Sequence, residues 1–146
     1  DQYLTAIEKA GKTHVAKDRR NVIIHAQTMR EDQLDKAKQL NLIPSFFSLH
    51  TYYWGDWHVS QTLGEARAAR ISPTGSALKR GMIFTEHHDA PVIPPKSMMM
   101  LDATVNRVTR SGKLLGADQR VSPYIALKSM TDWAAYQYFE EDKKTQ

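Results

Sequence analysis

The sequence has no cysteine, no glycine-rich phosphate loop and no long apolar run. The lack of cysteine excludes disulfides, thiolate metal sites and cysteine nucleophiles. No apolar stretch approaches the ~18 residues that a membrane span requires, and residues 1–10 are amphipathic rather than basic and then apolar. We therefore expect a soluble chain, cytoplasmic by default, with no membrane partner. The G-x-S-x-G motif of serine hydrolases and the H-E-x-x-H motif of metalloproteases are also absent.

Length and composition indicate one folded unit. The 146 residues are 41% hydrophobic and 25% charged, which is close to the globular average. They are too few for a complete (β/α)₈ barrel, which usually needs ~250 residues. We therefore interpret residues 1–146 as a single segment. The first residue is not methionine, which fits a mature product, an excised piece or a proteolytic remnant.

The charge balance is mildly basic. Lys and Arg outnumber Asp and Glu by 20 to 16, which gives a net charge of +4 and a pI near 9.3. Nucleic-acid binding requires such charge to gather on one face, but the only dense basic cluster is 17–20 and the other charges alternate in sign. We interpret this pattern as a solvated surface and predict no nucleic-acid partner.

The distribution of apolar residues predicts strands that alternate with helices. Three short runs are typical of strands, at 21–26, 42–47 and 82–85, and the first has the composition of a strand covered on both faces. Strands alternating with helices imply βαβ units and a parallel sheet, an α/β fold. Helical spacing and terminal signals predict helices at 2–10, 28–41, 72–81, 98–109, 122–127 and 132–140, whereas the aromatic stretch 50–58 has no clear periodicity and is predicted to be a loop.

Three helix starts carry capping signals. Thr28 and Glu31 fit a capping box, in which the hydroxyl accepts from a free backbone N–H and the carboxylate reaches back to the cap. Ser72 and Ser122 each precede a proline, which predicts an N-cap followed by proline at the first helical position.

Histidine or aspartate follows each predicted strand. His25 ends the first, His50 lies just beyond the second, and the third runs into His87, His88 and Asp89. Because ligands of α/β folds bind at the carboxyl ends of parallel strands, these side chains are expected to converge. Neutral imidazole and carboxylate are ligands for zinc and similar divalent ions.

Each of these residues also has an ordinary structural interpretation. His25 at a strand end is compatible with a hydrogen-bonded structural histidine, and Asp89 before Ala-Pro is compatible with a turn former. His87 and His88 point to opposite faces if the strand continues, so at most one of them faces the site. His58 has the pattern of a surface residue.

Six stretches carry a likeness to a known family: 22–27, 44–47 followed by His50, 63–68, 88–92, 103–110 and 121–127. Together they resemble the metal-dependent amidohydrolase superfamily, and within it amidohydrolase family 3, the YtcJ-like hydrolases. The resemblance implies a fold that is part of a (β/α)₈ (TIM-type) barrel, with about three parallel strands and flanking helices from its C-terminal portion. Residues 22–25, 43–47 and 82–87 would then be the sixth, seventh and eighth strands.

The resemblance also implies roles for individual residues. His25 and Asp89 correspond to metal ligands of the family. Asp89 also corresponds to the residue that moves protons in catalysis. His50 and His88 would orient the substrate or the tetrahedral intermediate. The residues expected to line the substrate pocket are Tyr52, Tyr53 and Trp54.

The implied reaction is hydrolysis of C–N bonds in small amide-like molecules, with a divalent metal, zinc above all, as cofactor. The family's remaining metal ligands would lie before Asp1, so the rest of the barrel is an expected partner. With two protein ligands, the isolated chain is expected to be inactive and to bind metal weakly, and its open sheet edges predict self-association. The alternative is a non-catalytic α/β ligand-binding or interaction module that uses the aromatic stretch.

Overall fold

A computed structural model of the protein describes residues 1–15 and 18–144, so Lys17 of the basic cluster lies outside the described residues. Three strands form one parallel sheet in the order β1 (Val22–His25), β2 (Ile43–Phe46) and β3 (Thr85–Glu86). Val22 pairs with Ile43, and Ser45 pairs with Thr85. The predicted fold class, three parallel strands with flanking helices, is confirmed, although β3 is shorter than the predicted run at 82–85.

Helices follow every strand. A π-helical turn at His58–Thr62 extends α3, and a 3₁₀ turn covers Ala117–Gln119. No helix within 1–15 and 18–144 has both the length and the apolar character needed to cross a bilayer. The α-helices of the described residues are α1 (Gln2–Thr13), α2 (Glu31–Gln39), α3 (Leu49–Trp57), α4 (Glu65–Ala68), α5 (Thr74–Lys79), α6 (Ser97–Asn106), α7 (Pro123–Met130), α8 (Asp132–Gln137) and α9 (Glu141–Lys144).

The main core lies between one face of the sheet and the helices. Phe46 of β2 and Phe84 before β3 pack edge to face, with ring centroids 5.6 Å apart. Apolar residues from several helices complete this cluster, which holds the three strands in place. Its buried members include Leu4, Leu34, Ala37, Phe46, Ala77, Met82, Phe84 and Ala126.

The first strand is not covered on both faces, contrary to the prediction. Ile23 packs on the main core, whereas Ile24 is 58% exposed. Successive side chains of a strand point to opposite faces, so the face of β1 turned away from the helices is open in this chain. Apolar composition alone therefore does not show that both faces of a strand are covered.

Pro44 lies in the central strand β2, where proline is rarely tolerated because it cannot donate to the ladder. The Ile43 N–H donates to the Asn21 carbonyl on the β1 side, and the Phe46 carbonyl accepts from His87 on the β3 side. Alternation along the strand therefore turns the Pro44 nitrogen toward β3. Since β3 begins only opposite Ser45, no ladder bond is lost there.

The aromatic stretch 50–58 is helical, so the predicted loop was wrong. Leu49, Thr51 and Gly55 of α3 are buried on one side. Tyr53 packs on a second apolar cluster, and Trp54 lies beside Phe47, next to the end of β2. The buried members of this second cluster are Phe47, Leu49, Ile93, Met100 and Ala103. Because α3 is covered on several sides, its apolar residues show no single stripe, and periodicity could not reveal it.

The predicted capping box at Thr28 was also wrong. Helix α2 begins at Glu31, and the backbone N–H of Arg30 donates to Gln33 Oε1 at 2.9 Å. The Glu31 carboxylate is instead engaged by Arg80, at 2.6 Å. The local capping box therefore forms two residues later than predicted, at Arg30 and Gln33, and Glu31 pairs with Arg80 at the end of α5 instead.

The two serine–proline signals have different outcomes. Ser122 caps α7 as predicted, accepting from the Ile125 N–H at 3.3 Å. Ser72 does not cap α5, which begins one residue later than predicted, at Thr74. Its hydroxyl donates to the Phe47 carbonyl at 3.4 Å, because its backbone turns through the left-handed region with φ 46°.

Candidate metal centre

The carboxyl end of the sheet brings His25 and Asp89 together, 64 positions apart in the sequence. Nε2 of His25 lies 3.3 Å from Oδ2 of Asp89, and both side chains are partly exposed. Both residues have left-handed backbones, with φ of 64° and 54°. Such conformations cost a residue other than glycine of order 1 kcal/mol or more, and they cluster at functional sites.

His87 is a third donor at the same place. One donor atom from each of His25, His87 and Asp89 lies within 4.8 Å of the other two. Nδ1 of His87 is 3.0 Å from the hydroxyl oxygen of Ser45, a buried residue of β2. Its Nε2 is buried and has no hydrogen-bond partner among the described residues.

His50 extends the group of imidazoles. It lies in the first turn of α3, and its ring centroid is 6.0 Å from that of His25. Burial lowers the pKa of His50 to about 4, and repulsion from His25 adds to the effect. The ring is therefore neutral at neutral pH, and its buried Nδ1 lacks a partner in the described part of the chain.

His58 borders this group instead of lying on the surface as predicted. Its Nε2 is 3.0 Å from Nε2 of Gln27, and its Nδ1 is 3.0 Å from Oγ1 of Thr62. Burial lowers the pKa of His58. The residue lies where the π-helical turn begins, a distortion that is common at functional sites.

His88 and the three aromatic residues predicted to bind substrate lie outside the three-donor group. His88 is outside the three-donor group, although its Nε2 is buried without a partner among the described residues. The Trp54 ring is 5.6 Å from the His50 ring, whereas the Tyr53 hydroxyl is 3.6 Å from Met99 Sδ and the Tyr52 ring packs on Tyr53. Their roles in substrate binding stay predictions.

A buried polar network lies directly behind the centre. Glu86, the last residue of β3, accepts from the backbone N–H and the hydroxyl of Ser48, at 3.1 and 2.5 Å. Burial raises the pKa of Glu86 to about 7. The network ties the end of β3, which carries His87, to the turn that starts α3, which carries His50. Sequence reasoning missed it, although an acid inside an apolar strand was its signal.

Arg107 supports the same region from the end of α6. It is fully buried, and burial lowers the pKa of Arg107 to about 10. Its guanidinium donates to the carbonyls of Ile71, Ser72 and Leu115, at 2.7, 3.1 and 2.9 Å. The cation thereby joins two segments, residues 71–72 and Leu115, to the end of α6.

Comparison with known proteins agrees with this arrangement. The model of the amidohydrolase family matches residues 1–146. The chain belongs to the amidohydrolase family. A comparison with curated proteins found no match.

Two solved structures are similar to this amidohydrolase segment. One is an uncharacterized metal-dependent hydrolase from Pyrococcus horikoshii OT3, with 26% identity and a TM-score of 0.78. The other, an uncharacterized metal-dependent hydrolase from Pyrococcus furiosus, has 26% identity and a TM-score of 0.74. The matches cover 96% of this chain but 27% of each of those chains, so the segment spans a minor part of their length.

The donors of this amidohydrolase segment fit a divalent metal ion. Two imidazoles and a carboxylate converge, and one buried imidazole nitrogen lacks a partner. This is the nitrogen and oxygen donor set that zinc and similar ions take in proteins. A cavity of about 750 Å³ lies at the opposite end of the strands, beside Asn21, Leu42 and Met82, and none of the described residues forms such a donor group there.

Proposed function

We propose that this segment supplies part of the active site of a metal-dependent hydrolase that cleaves C–N bonds in small amide-like molecules. The observation that carries the proposal is the 3.3 Å approach of His25 to Asp89 at the carboxyl edge of the sheet. Membership of the amidohydrolase family and likeness to metal-dependent hydrolases support the reaction class.

His25 and Asp89 would hold the ion, for which we propose zinc. When bound, a divalent ion polarises a substrate carbonyl and lowers the pKa of water to ~7. His25 contributes a neutral imidazole nitrogen and Asp89 a carboxylate oxygen, both donors that zinc accepts.

Asp89 would also carry the proton. Its carboxylate is partly exposed, so substrate and water can reach it. It would accept the proton that the attacking water loses and deliver it to the departing nitrogen. General acid–base catalysis by such a group contributes ~10²–10⁴ in rate.

His50 would orient the carbonyl oxygen. Because its ring is neutral at neutral pH and its buried Nδ1 is unpartnered, it can donate one hydrogen bond without adding positive charge. Such a donor stabilises the negative charge that develops on the oxygen. We assign His88 a similar substrate contact, and Tyr52, Tyr53 and Trp54 the wall of the pocket.

The remainder of the barrel is the partner that completes this site. The segment spans 27% of the solved hydrolases that it resembles, so we propose that it is inactive in isolation. The alternative of a non-catalytic module built on an aromatic loop has no observation in its favour, because that stretch is helical and Tyr53 packs into a core cluster.

The test is Asp89→Asn in the longer protein that contains this segment. Asparagine keeps the size of the side chain but cannot accept the proton, so hydrolysis of amide-like substrates should fall by ~10²–10⁴ while the far-ultraviolet circular dichroism stays unchanged. Asp102→Asn, on the exposed side of α6, is the matched control and should keep full turnover. Undiminished turnover in Asp89→Asn would refute the proposal.

A further inference from the structure

We propose that His87 is a third protein ligand of the metal ion and that the Ser45 hydroxyl holds its ring in the ligating tautomer. This inference rests on the proposed function only in assuming that the site takes a metal. It gives the segment three donors of its own instead of the two expected from the sequence.

The backbone fixes where His87 lies. Its N–H donates to the Phe46 carbonyl at 3.0 Å, which continues the pairing of β3 with the central strand by one residue. The ring of His87 then lies beside that of His25, with centroids 5.1 Å apart. Because β1 and β3 flank β2 on opposite sides, the two imidazoles approach each other across the end of the central strand.

The two ring nitrogens of His87 have different surroundings. Nδ1 is 3.0 Å from Oγ of the buried Ser45, whereas Nε2 is buried without a partner among the described residues. A buried polar atom left without a partner is destabilising, so an unpartnered buried nitrogen calls for a ligand. When Ser45 accepts from Nδ1–H, the lone pair is on Nε2, which is then ready to bind an ion. Metal-ligating histidines commonly donate their second nitrogen in this way.

The number of donors also fits. His25, His87 and Asp89 supply three ligand atoms within 4.8 Å of one another, and catalytic zinc sites use three protein ligands and keep one open position. The neighbouring His88 lies outside this group, so of the two adjacent histidines we assign metal binding to His87 alone. We therefore expect the segment to bind one divalent ion by itself.

Cobalt(II) titration of the 146-residue chain tests this ligand without any assay of activity. Isothermal titration and the visible absorption of bound cobalt should give one site per chain. His87→Gln should weaken binding at least tenfold and reduce the absorption, and Ser45→Ala should weaken it about tenfold, as expected for a supporting residue. His58→Gln removes a nearby imidazole outside the donor group and should bind cobalt like the unchanged chain.

Three results would overturn the inference: no binding by the unchanged chain, equal affinity within twofold for His87→Gln, or equal loss in His58→Gln. If His87→Gln does not fold, as judged by circular dichroism, the smaller change Ser45→Ala decides. The outcome is separable from the proposed reaction. If cobalt binding depends on His87 but Asp89→Asn leaves turnover unchanged, the proposed reaction is wrong and the assignment of His87 as a metal ligand is retained.

Discussion

Arg107 is the residue whose burial has the largest expected consequence for stability. Its side chain is fully buried and donates to three carbonyls, and its charge faces the buried Glu86. Arg107→Met keeps much of the apolar volume but leaves these carbonyls and Glu86 without their cation. We expect the free energy of unfolding to fall by about 3–5 kcal/mol, measured by urea denaturation.

The control for this prediction is Arg110→Met. Arg110 is exposed, and its bond to the Tyr52 carbonyl comes from its backbone N–H, which the substitution retains. A change below about 0.5 kcal/mol is expected there. Equal losses in the two variants would show that burial of Arg107 contributes nothing special.

At residue scale, the sequence predicted that His25 and Asp89 would converge, because the ends of apolar strand runs can be identified in a sequence. His25 and Asp89 each follow an apolar run, and the rule that parallel strands present ligands at their carboxyl ends brings them together. The sequence could not predict whether His87 or His88 faces the candidate site, because the direction of each side chain depends on where the strand ends. His58 was missed because its position depends on a π-helical turn that has no sequence signal.

At the scale of elements, the predictions succeeded where one local signal dominates. The serine before proline predicted the start of α7, a β-branched run predicted β1, and a short apolar run predicted β2. They failed for α3, whose residues are covered on several sides, and for the start of α2, where Glu31 pairs with Arg80 of a distant helix. Both failures come from tertiary contacts that overrule local preference.

Two helical glycines give a matched prediction at this scale. A Cβ on Gly11 in α1 would meet no atom within 4 Å, so Gly11→Ala should raise the free energy of unfolding by about 0.5–1 kcal/mol. A Cβ on Gly75 in α5 would lie 2.4 Å from the Asp118 carbonyl oxygen, so Gly75→Ala should lower it by about 1–3 kcal/mol.

Thermal or urea unfolding of the two variants checks this pair. The substitution is chemically the same in both, so opposite signs can come only from the space around each glycine. A loss of stability in Gly11→Ala as large as that in Gly75→Ala would contradict the packing of α5 against the 3₁₀ turn.

At the scale of the whole molecule, the open sheet is the main feature. Ile24 of β1 is 58% exposed on the face turned away from the helices, and β1 is an outer strand of the three. Unpaired strand edges and exposed apolar faces favour association between chains. We therefore predict that the isolated segment self-associates at micromolar concentration.

Ile24→Lys should shift the chain toward the monomer in sedimentation velocity, because a charge on an outer strand opposes strand pairing. Met98→Lys is the control, since Met98 is 74% exposed but lies on helix α6. If both variants sediment like the unchanged chain, the open sheet is not the associating surface. Neither composition nor motif could locate this surface, because the exposure of Ile24 depends on which face of β1 the helices cover.

The left-handed backbones of His25 and Asp89 lower the stability of the folded chain. Glycine adopts φ values near 64° and 54° without the steric penalty that these two residues bear. Laboratory evolution toward heat tolerance, run without a screen for chemistry, should therefore enrich glycine at both positions and erase the pair. Under the proposed function, selection for hydrolysis would retain the two residues despite this cost.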